Sequence, residues 1–196
     1  MTIILDMGGV LMQHNMPECI TRFTSILGEE NMKTILGLAS NGEGVADSLM
    51  EQYERGEIST DCFVDTILQY SKEGTTREEV IAAWNSMHGG IPLERLEQIK
   101  KWKETGHQLY LLSNNNDLHW NGIHSKYDMS IFEHCFASHL MHMSKPDSRI
   151  YEAVDRQLRE WECEQPFHFV DDIEINRKIA EKIGWKTFAT IYEVDI

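Results

Sequence analysis

Thr2-Ile3-Ile4-Leu5-Asp6-Met7-Gly8-Gly9-Val10-Leu11, residues 2–11, decides the fold. Ile3-Ile4-Leu5 is apolar with no polar alternation, so it reads as a short strand covered on both faces. Asp6 ends the run and Gly8-Gly9 marks a tight turn. Segments of the same kind recur far along the chain. Gln108 to Leu112 ends in Ser113-Asn114, Phe167 to Val170 ends in Asp171-Asp172, and Lys186 to Thr190 is a further β-leaning run. Helical patterns separate them. Leu93, Leu96, Ile99 and Trp102 repeat every three residues before Gly106, and Ile175, Ile179 and Ile183 fall four apart before Gly184; glycine commonly ends a helix. Short apolar strands alternating with helices predict an α/β fold, a three-layer Rossmann-like parallel sheet with helices on both faces.

Residues 14–90 follow another grammar. Ile20/Phe23/Leu27, Met32/Ile35/Leu36, Val45/Leu49, Phe63/Ile67 and Val80/Ile81/Trp84 are helix-spaced apolar sets, broken at Gly28, Gly42-Glu43-Gly44, Gly56 and Gly74. Thr76-Arg77-Glu78-Glu79 matches a capping box. The expectation is a helical cap, residues 14–90, inserted after the first strand of an α/β catalytic core made of residues 1–13 and 91–196.

The 196 residues suit roughly one domain, long enough to bury a core without disulfides or a metal staple. A net charge of −14 argues against a nucleic-acid partner, because phosphate backbones are repelled rather than neutralised. Cys19, Cys62, Cys135 and Cys163 are scattered with no C-x-x-C pair, which points to a reducing compartment. No basic n-region precedes Ile3 and no run of ~18 apolar residues is present. The expectation is therefore a cytoplasmic protein with no membrane partner.

In an open parallel sheet, ligands bind beyond the carboxyl ends of the strands. Asp6, Ser113-Asn114 and Asp171-Asp172 all stand at such ends. Three carboxylates in one cleft repel one another unless a cation lies among them, and oxygen-only ligands favour Mg²⁺. Asp172 and Asn176, four apart at a helix start, share one face. Ser113-Asn114-Asn115-Asn116, between a strand and a helix, offers a hydroxyl and free amides as a phosphate seat. Lys145, before Pro146, offers a point charge to balance the carboxylates and the phosphate.

ILDMGGVL, LLSN, SKPDSRIY and FVDDIEIN, in that order, resemble the four motifs of the haloacid dehalogenase superfamily. Each is weak alone; four in order, each beside the expected strand or helix, is a specific signal. The resemblance covers nearly the whole chain, because the helical insertion falls where that family places its first-type cap. YERGEIST, AWNSM and SNNNDLH look like a phosphatase branch that includes bacterial α-D-glucose-1-phosphate phosphatases and the N-terminal domain of soluble epoxide hydrolases. The resemblance implies a Mg²⁺-dependent phosphatase acting on a small phosphorylated metabolite, a sugar phosphate first of all. It implies that Asp6 is the nucleophile and that Asp6, the Gly8 carbonyl and Asp172 hold the metal, with Asp171 acting through water or Lys145. Ser113 and the Asn114 amide would grip a phosphoryl oxygen, and Lys145 would orient Asp6.

One departure stands out. Phosphatases of this superfamily usually carry a second Asp two residues after the nucleophile, as proton donor and acceptor; here that residue is Gly8. Three routes stay open. Another group, such as His14, His119 or a cap carboxylate, supplies the proton. The leaving group departs unaided, as an anomeric phosphate's oxygen partly does. Or the chain binds phosphate esters and turns them over poorly. Carbon–halogen hydrolysis, which needs neither Mg²⁺ nor a second Asp, fits Gly8 but leaves the Asp171-Asp172 pair unexplained. Plainer roles compete throughout. Asp6 alone is a turn aspartate, Asp171 and Asp172 are helix N-terminal acids, and Ser113-Asn114 is an N-cap pair. His119 is a first-turn helix residue or a substrate contact, and His134, His139 and His142 lack a fourth ligand paced for zinc.

Overall fold

The computed structural model describes residues 1–37 and 48–195. Five strands, β1 (Thr2–Leu5), β2 (Gln108–Ser113), β3 (His134–Ala137), β4 (His168–Val170) and β5 (Lys186–Phe188), pair in the order β3-β2-β1-β4-β5, all parallel. Between β1 and β2 lie α1 (Met16–Leu27), α2 (Glu29–Asn31) running into a π-helical turn at Met32–Leu36, α3 (Leu49–Glu54), α4 (Thr60–Gln69) and α5 (Arg77–Asn85). Then α6 (Leu93–Glu104) leads into β2, α7 (Asp117–Lys126) follows it, α8 (Ser138–Met141) and α9 (Ser148–Glu160) separate β3 from β4, and α10 (Glu174–Lys182) joins β4 to β5.

The central strand explains why the opening run is apolar throughout. Side chains alternate across a sheet, and both faces of β1 are covered. Ile3 and Leu5 join Leu109, Leu111, Ile99 and Trp102 of α6 and Ile123 of α7 in one cluster. Ile4 joins Tyr110, Leu112 and Phe169 against Ile150, Val154 and Leu158 of α9 and Ala180 of α10 in the other. Fully burying one such side chain stabilises by about 2 kcal/mol.

Residues of the helical segment form a third cluster around Phe23, Tyr53, Phe63, Ile67, Val80 and Trp84, with Tyr53 stacked on Phe63 at 4.4 Å. The predicted helix-spaced sets supply most of it; Val45 and the Gly42-Glu43-Gly44 break lie outside the described residues. Both halves of the capping box form, Glu79 N to Thr76 Oγ1 and Thr76 N to Glu79 Oε2. Two antiparallel crossings tie the segment to the sheet. Gln13 N donates to Gly90 O at 2.8 Å, Gly89 N to Gln13 O at 2.7 Å, and Asn15 N to Met87 O at 2.7 Å.

Several expectations need correction. The edge strand β3 is not among the predicted strands; its first residue, His134, is exposed and only Phe136 and Ala137 are buried. Of the α10 repeat, Ile179 and Ile183 pack against the core but Ile175 is half exposed, and the buried residues of the helix are Asn176 and Ala180. Leu93, the first residue of the α6 repeat, is also exposed. All four cysteines are free, and no helix among the described residues is long and apolar enough to cross a membrane.

Candidate active site

β1 and β2 pair Leu5 with Leu111, and β1 and β4 pair Leu5 with Val170. Asp6, Ser113 and Asp171 therefore leave the same end of the sheet, although more than a hundred residues separate the first from the others. Asp6 N donates to Val170 O at 2.9 Å, which extends the ladder by one residue and fixes where its side chain starts.

Lys145 joins the two strand ends. Its Nζ lies 2.9 Å from Asp6 Oδ1 and 2.6 Å from Asp171 Oδ2, with all three residues buried. Asp171 has no exposed surface and is held on every side: Ile173 N donates to Oδ1 at 2.9 Å, and Asn176 Nδ2 reaches Oδ1 and Oδ2 at 3.1 and 3.0 Å. Asn176 thus holds Asp171 and not Asp172, with which its spacing shares a helix face. Asn176 faces inward to hold Asp171, which explains a buried asparagine on α10. The Asn114 side chain fixes the lysine from behind: its Nδ2 donates to Lys145 O and its Oδ1 accepts from Lys145 N, both at 2.8 Å.

The electrostatics follow from this burial. Burial pulls the Lys145 ammonium down, but the carboxylates of Asp6 and Asp171 overcome that and hold it above its ordinary value. Burial pushes Asp6 up to about 6, helped by Asp171 and opposed by Lys145 and the Met7 amide, which donates to Asp6 Oδ1 at 2.7 Å. One ammonium does not offset two buried carboxylates, so further positive charge is favoured beside Asp6.

Asp172 stands beside them and is exposed. Oxygen atoms of Asp6, Asp171 and Asp172 lie within 4.8 Å of one another, an all-carboxylate set. Gly9 makes this approach possible. It takes φ +73°, and a Cβ there would lie 2.1 Å from Asp172 Oδ2, so no other residue lets Asp172 in. Asp6, Asp172 and the turn at Gly9 thus form one rim with hard oxygen donors, the chemistry that suits Mg²⁺. Arg95 of α6 braces the turn through Gly9 O at 3.0 Å; an isolated arginine in a helical repeat carries no sequence signal for that task.

Ser113 is buried at the end of β2, its Oγ 3.2 Å from Asn114 O. The N-cap of α7 is Asn116, whose Oδ1 accepts from His119 N at 3.1 Å. Ser113 and Asn114 therefore do not cap that helix. His119 is not brought into the cluster. Its ring stacks on Trp84 at 4.8 Å, with Nε2 3.0 Å from Trp84 O and Nδ1 3.2 Å from Asn116 Nδ2, so both ring nitrogens are engaged between α5 and α7. His134 and His142 are exposed and His139 is buried. Two ionisable groups of residues 14–90 stand near the cluster: His14, whose ring lies against Gly8 and feels the Asp172 carboxylate, and Glu54, at the end of α3, which feels the charges of Asp6 and Lys145. Glu54 lies within YERGEIST, yet its residue type and spacing set it apart from no other surface glutamate.

The space beside this rim is polar. An open depression of about 590 Å³ is lined by Gly9, Gln13, His14, Asn15, Gly89 and Arg95. A more apolar hollow of about 400 Å³, between α6 and residues 126–132, includes none of the cluster residues.

No family model matches the chain. Among solved structures it is similar to the HAD family enzyme bt-2542 of Bacteroides thetaiotaomicron, in complex with magnesium and inorganic phosphate: 30% identity, TM-score 0.81, covering 99% of this chain and 96% of that one. It is also similar to a predicted HAD-like family hydrolase of Porphyromonas gingivalis, at 25% identity and TM-score 0.78 over 96% and 90% of the two chains. Among curated proteins it is 28% identical to the sesquiterpene phosphatase astK of Aspergillus oryzae over 185 residues, 92% of this chain and 85% of that protein.

Proposed function

Because the chain belongs to the haloacid dehalogenase (HAD) family of hydrolases, we propose that it hydrolyses a small phosphate monoester with Mg²⁺, through an aspartyl-phosphate on Asp6. The observation that carries this reading is the buried Asp6–Lys145–Asp171 chain with Asp172 beside it. The magnesium and phosphate bound by the Bacteroides enzyme and the phosphatase activity named for the Aspergillus relative support it.

In this reading Asp6, the Gly8 carbonyl and Asp172 hold Mg²⁺, with Asp171 acting through Lys145. Bound there, the ion supplies the positive charge that lets a phosphate dianion approach a carboxylate. Lys145 holds Asp6 in line and keeps it ionised. Ser113 Oγ and the Asn114 amide bind a phosphoryl oxygen, so that attack by Asp6 splits one hard displacement into two easier ones. Residues 14–90 act as the cap, covering the site and excluding water.

A sugar phosphate remains the first substrate class, supported by the polar lining at Gln13, His14, Asn15 and Arg95. The terpenoid named for the Aspergillus relative makes a prenyl phosphate the natural comparison. Carbon–halogen hydrolysis is favoured by Gly8 alone and leaves the exposed Asp172 without a task.

The test is a panel of phosphate esters, including p-nitrophenyl phosphate, hexose phosphates and farnesyl phosphate, run with Mg²⁺ and with EDTA. Turnover that needs Mg²⁺ and disappears in Asp6→Asn is expected. Halide release from 2-chloropropionate in EDTA would move the assignment to dehalogenation. Metal-dependent phosphate binding without turnover would make the chain a binding protein.

A further inference from the structure

At Gly8 the chain lacks a side chain that can carry a proton, while the end of α3, with Glu54, sits against the segments that follow β2 and β3, within the field of Asp6 and Lys145. Glu54 is the last residue of α3, and contacts with the sheet unit fix its position. Its carbonyl accepts from Ser138 Oγ at 2.5 Å, and the same hydroxyl accepts from Asn115 N at 2.8 Å, two residues past Ser113. On one side Tyr53 Oη accepts from Leu118 N at 3.2 Å. On the other, Gly56 at φ +65° lies against α8, where a Cβ would fall 2.2 Å from His139 O. The turn is thus seated on the segments that follow β2 and β3.

The Glu54 carboxylate itself takes no hydrogen bond or ion pair among the described residues. A half-buried carboxyl group with unused oxygens, close enough to feel both Asp6 and Lys145, has no structural task there.

We propose that Glu54 is the proton-transfer group of this site, taking the part that a second aspartate plays elsewhere in the family; the proposal rests on the aspartyl-phosphate reading. In the first step an Asp6 oxygen bonds to phosphorus as the ester P–O bond breaks. The electron pair stays on the leaving oxygen, which takes the Glu54 proton and departs as an alcohol. In the second step water bonds to phosphorus as the Asp6 O–P bond breaks. Its proton passes to the Glu54 carboxylate, which releases phosphate and restores both side chains.

Such a group must hold a proton in one step and accept one in the next, which is easiest near its own pKa. Burial above all, then the charges of Glu51 and Asp6, push Glu54 up to about 7 against the pull of Lys145 and Arg55. Glu51 and Arg55 belong to its own turn, Asp6 and Lys145 to the sheet unit; His139 and His142 stand on and just after α8, whose His142 ring lies 3.2 Å from Arg55 O.

The experiment compares wild type, Glu54→Gln, Glu54→Asp and His14→Gln, as full chains with Mg²⁺. It uses p-nitrophenyl phosphate, whose leaving group needs no proton, and an alkyl phosphate that the wild type turns over. Glu54→Gln is expected to lose about 100-fold or more on the alkyl ester. On p-nitrophenyl phosphate it should release one equivalent of nitrophenolate in a burst and then stall as the phosphoenzyme. Glu54→Asp should recover part of both. Turnover within about threefold of wild type on both esters overturns the proposal, as does a uniform loss without a burst, or a burst in His14→Gln instead. Wild type inert to every ester overturns the phosphatase reading, and the proposal with it.

Discussion

The ring of His14 occupies the space that a side chain on Gly8 would need: a Cβ there would lie 2.5 Å from both Cε1 and Nε2 of the imidazole. Gly8→Asp, which restores the residue usual in related phosphatases, must therefore displace that ring. The ring is the far end of an exposed side chain, so the cost is moderate, about 1–2 kcal/mol. In His14→Ala/Gly8→Asp the clash is gone. The double variant should be more stable than the sum of the single effects implies, by about 1 kcal/mol in urea unfolding. Strict additivity would mean that the ring moves aside freely.

The Lys145 ammonium is bonded to both buried carboxylates. Lys145→Met leaves Asp6 and Asp171 buried without their partner, a loss of about 3 kcal/mol in the absence of metal. Mg²⁺ bound at the same carboxylates, as proposed, should return part of that stability by mass action. Turnover should still fall about 100-fold or more, since the metal does not replace the donor that orients Asp6. Denaturant curves with and without Mg²⁺ measure the first effect, and steady-state rates the second.

Asn114 touches the lysine only through its backbone. Asn114→Ala removes both 2.8 Å bonds and leaves a peptide N–H and C=O unpaired, at a cost of about 2 kcal/mol. Misplacing Lys145 should lower kcat by about 10- to 100-fold with little change in KM, because positioning errors act on the transition state more than on binding. A rise in KM alone would instead place the Asn114 side chain on the substrate.

The contrast between Asn114 and Asn176 shows what the chain discloses in one dimension. The strands β1, β2 and β4 are legible because burial on both faces leaves an apolar run, and the polar residues at their ends then stand out. Asp6, Ser113, Lys145 and Asp171 can be named from their neighbours along the chain. Their partners cannot. Asn176 is four residues from Asp172 and five from Asp171, and only the direction of α10 decides which one it holds. β3 is hidden because an edge strand with one buried half has little pattern to show. Glu54 is hidden for a different reason: the contact of α3 with α8 that places it joins residues 84 positions apart in sequence.

His119 carries a pH dependence whose sign follows from its burial. Burial above all, then the neighbouring His88, lower it from 6.5 to about 3, while the bond to Trp84 O acts in the other direction. Unfolded, the imidazole takes a proton below about 6.5; folded, it resists until far lower pH. Between those values the unfolded state binds more protons, so the share of stability due to His119 is lost as pH falls. His88, lowered to about 4, acts in the same sense, whereas Asp6 and Glu54, both raised, act in the opposite one. The total curve therefore does not isolate His119, but its difference from His119→Gln does. Glutamine keeps an amide donor for Trp84 O and does not titrate. From pH 7 to pH 5, wild type should lose about 2 kcal/mol relative to His119→Gln, by 1.4 kcal/mol per pH unit below 6.5. A constant difference across that range would mean that the ring is protonated while stacked on Trp84.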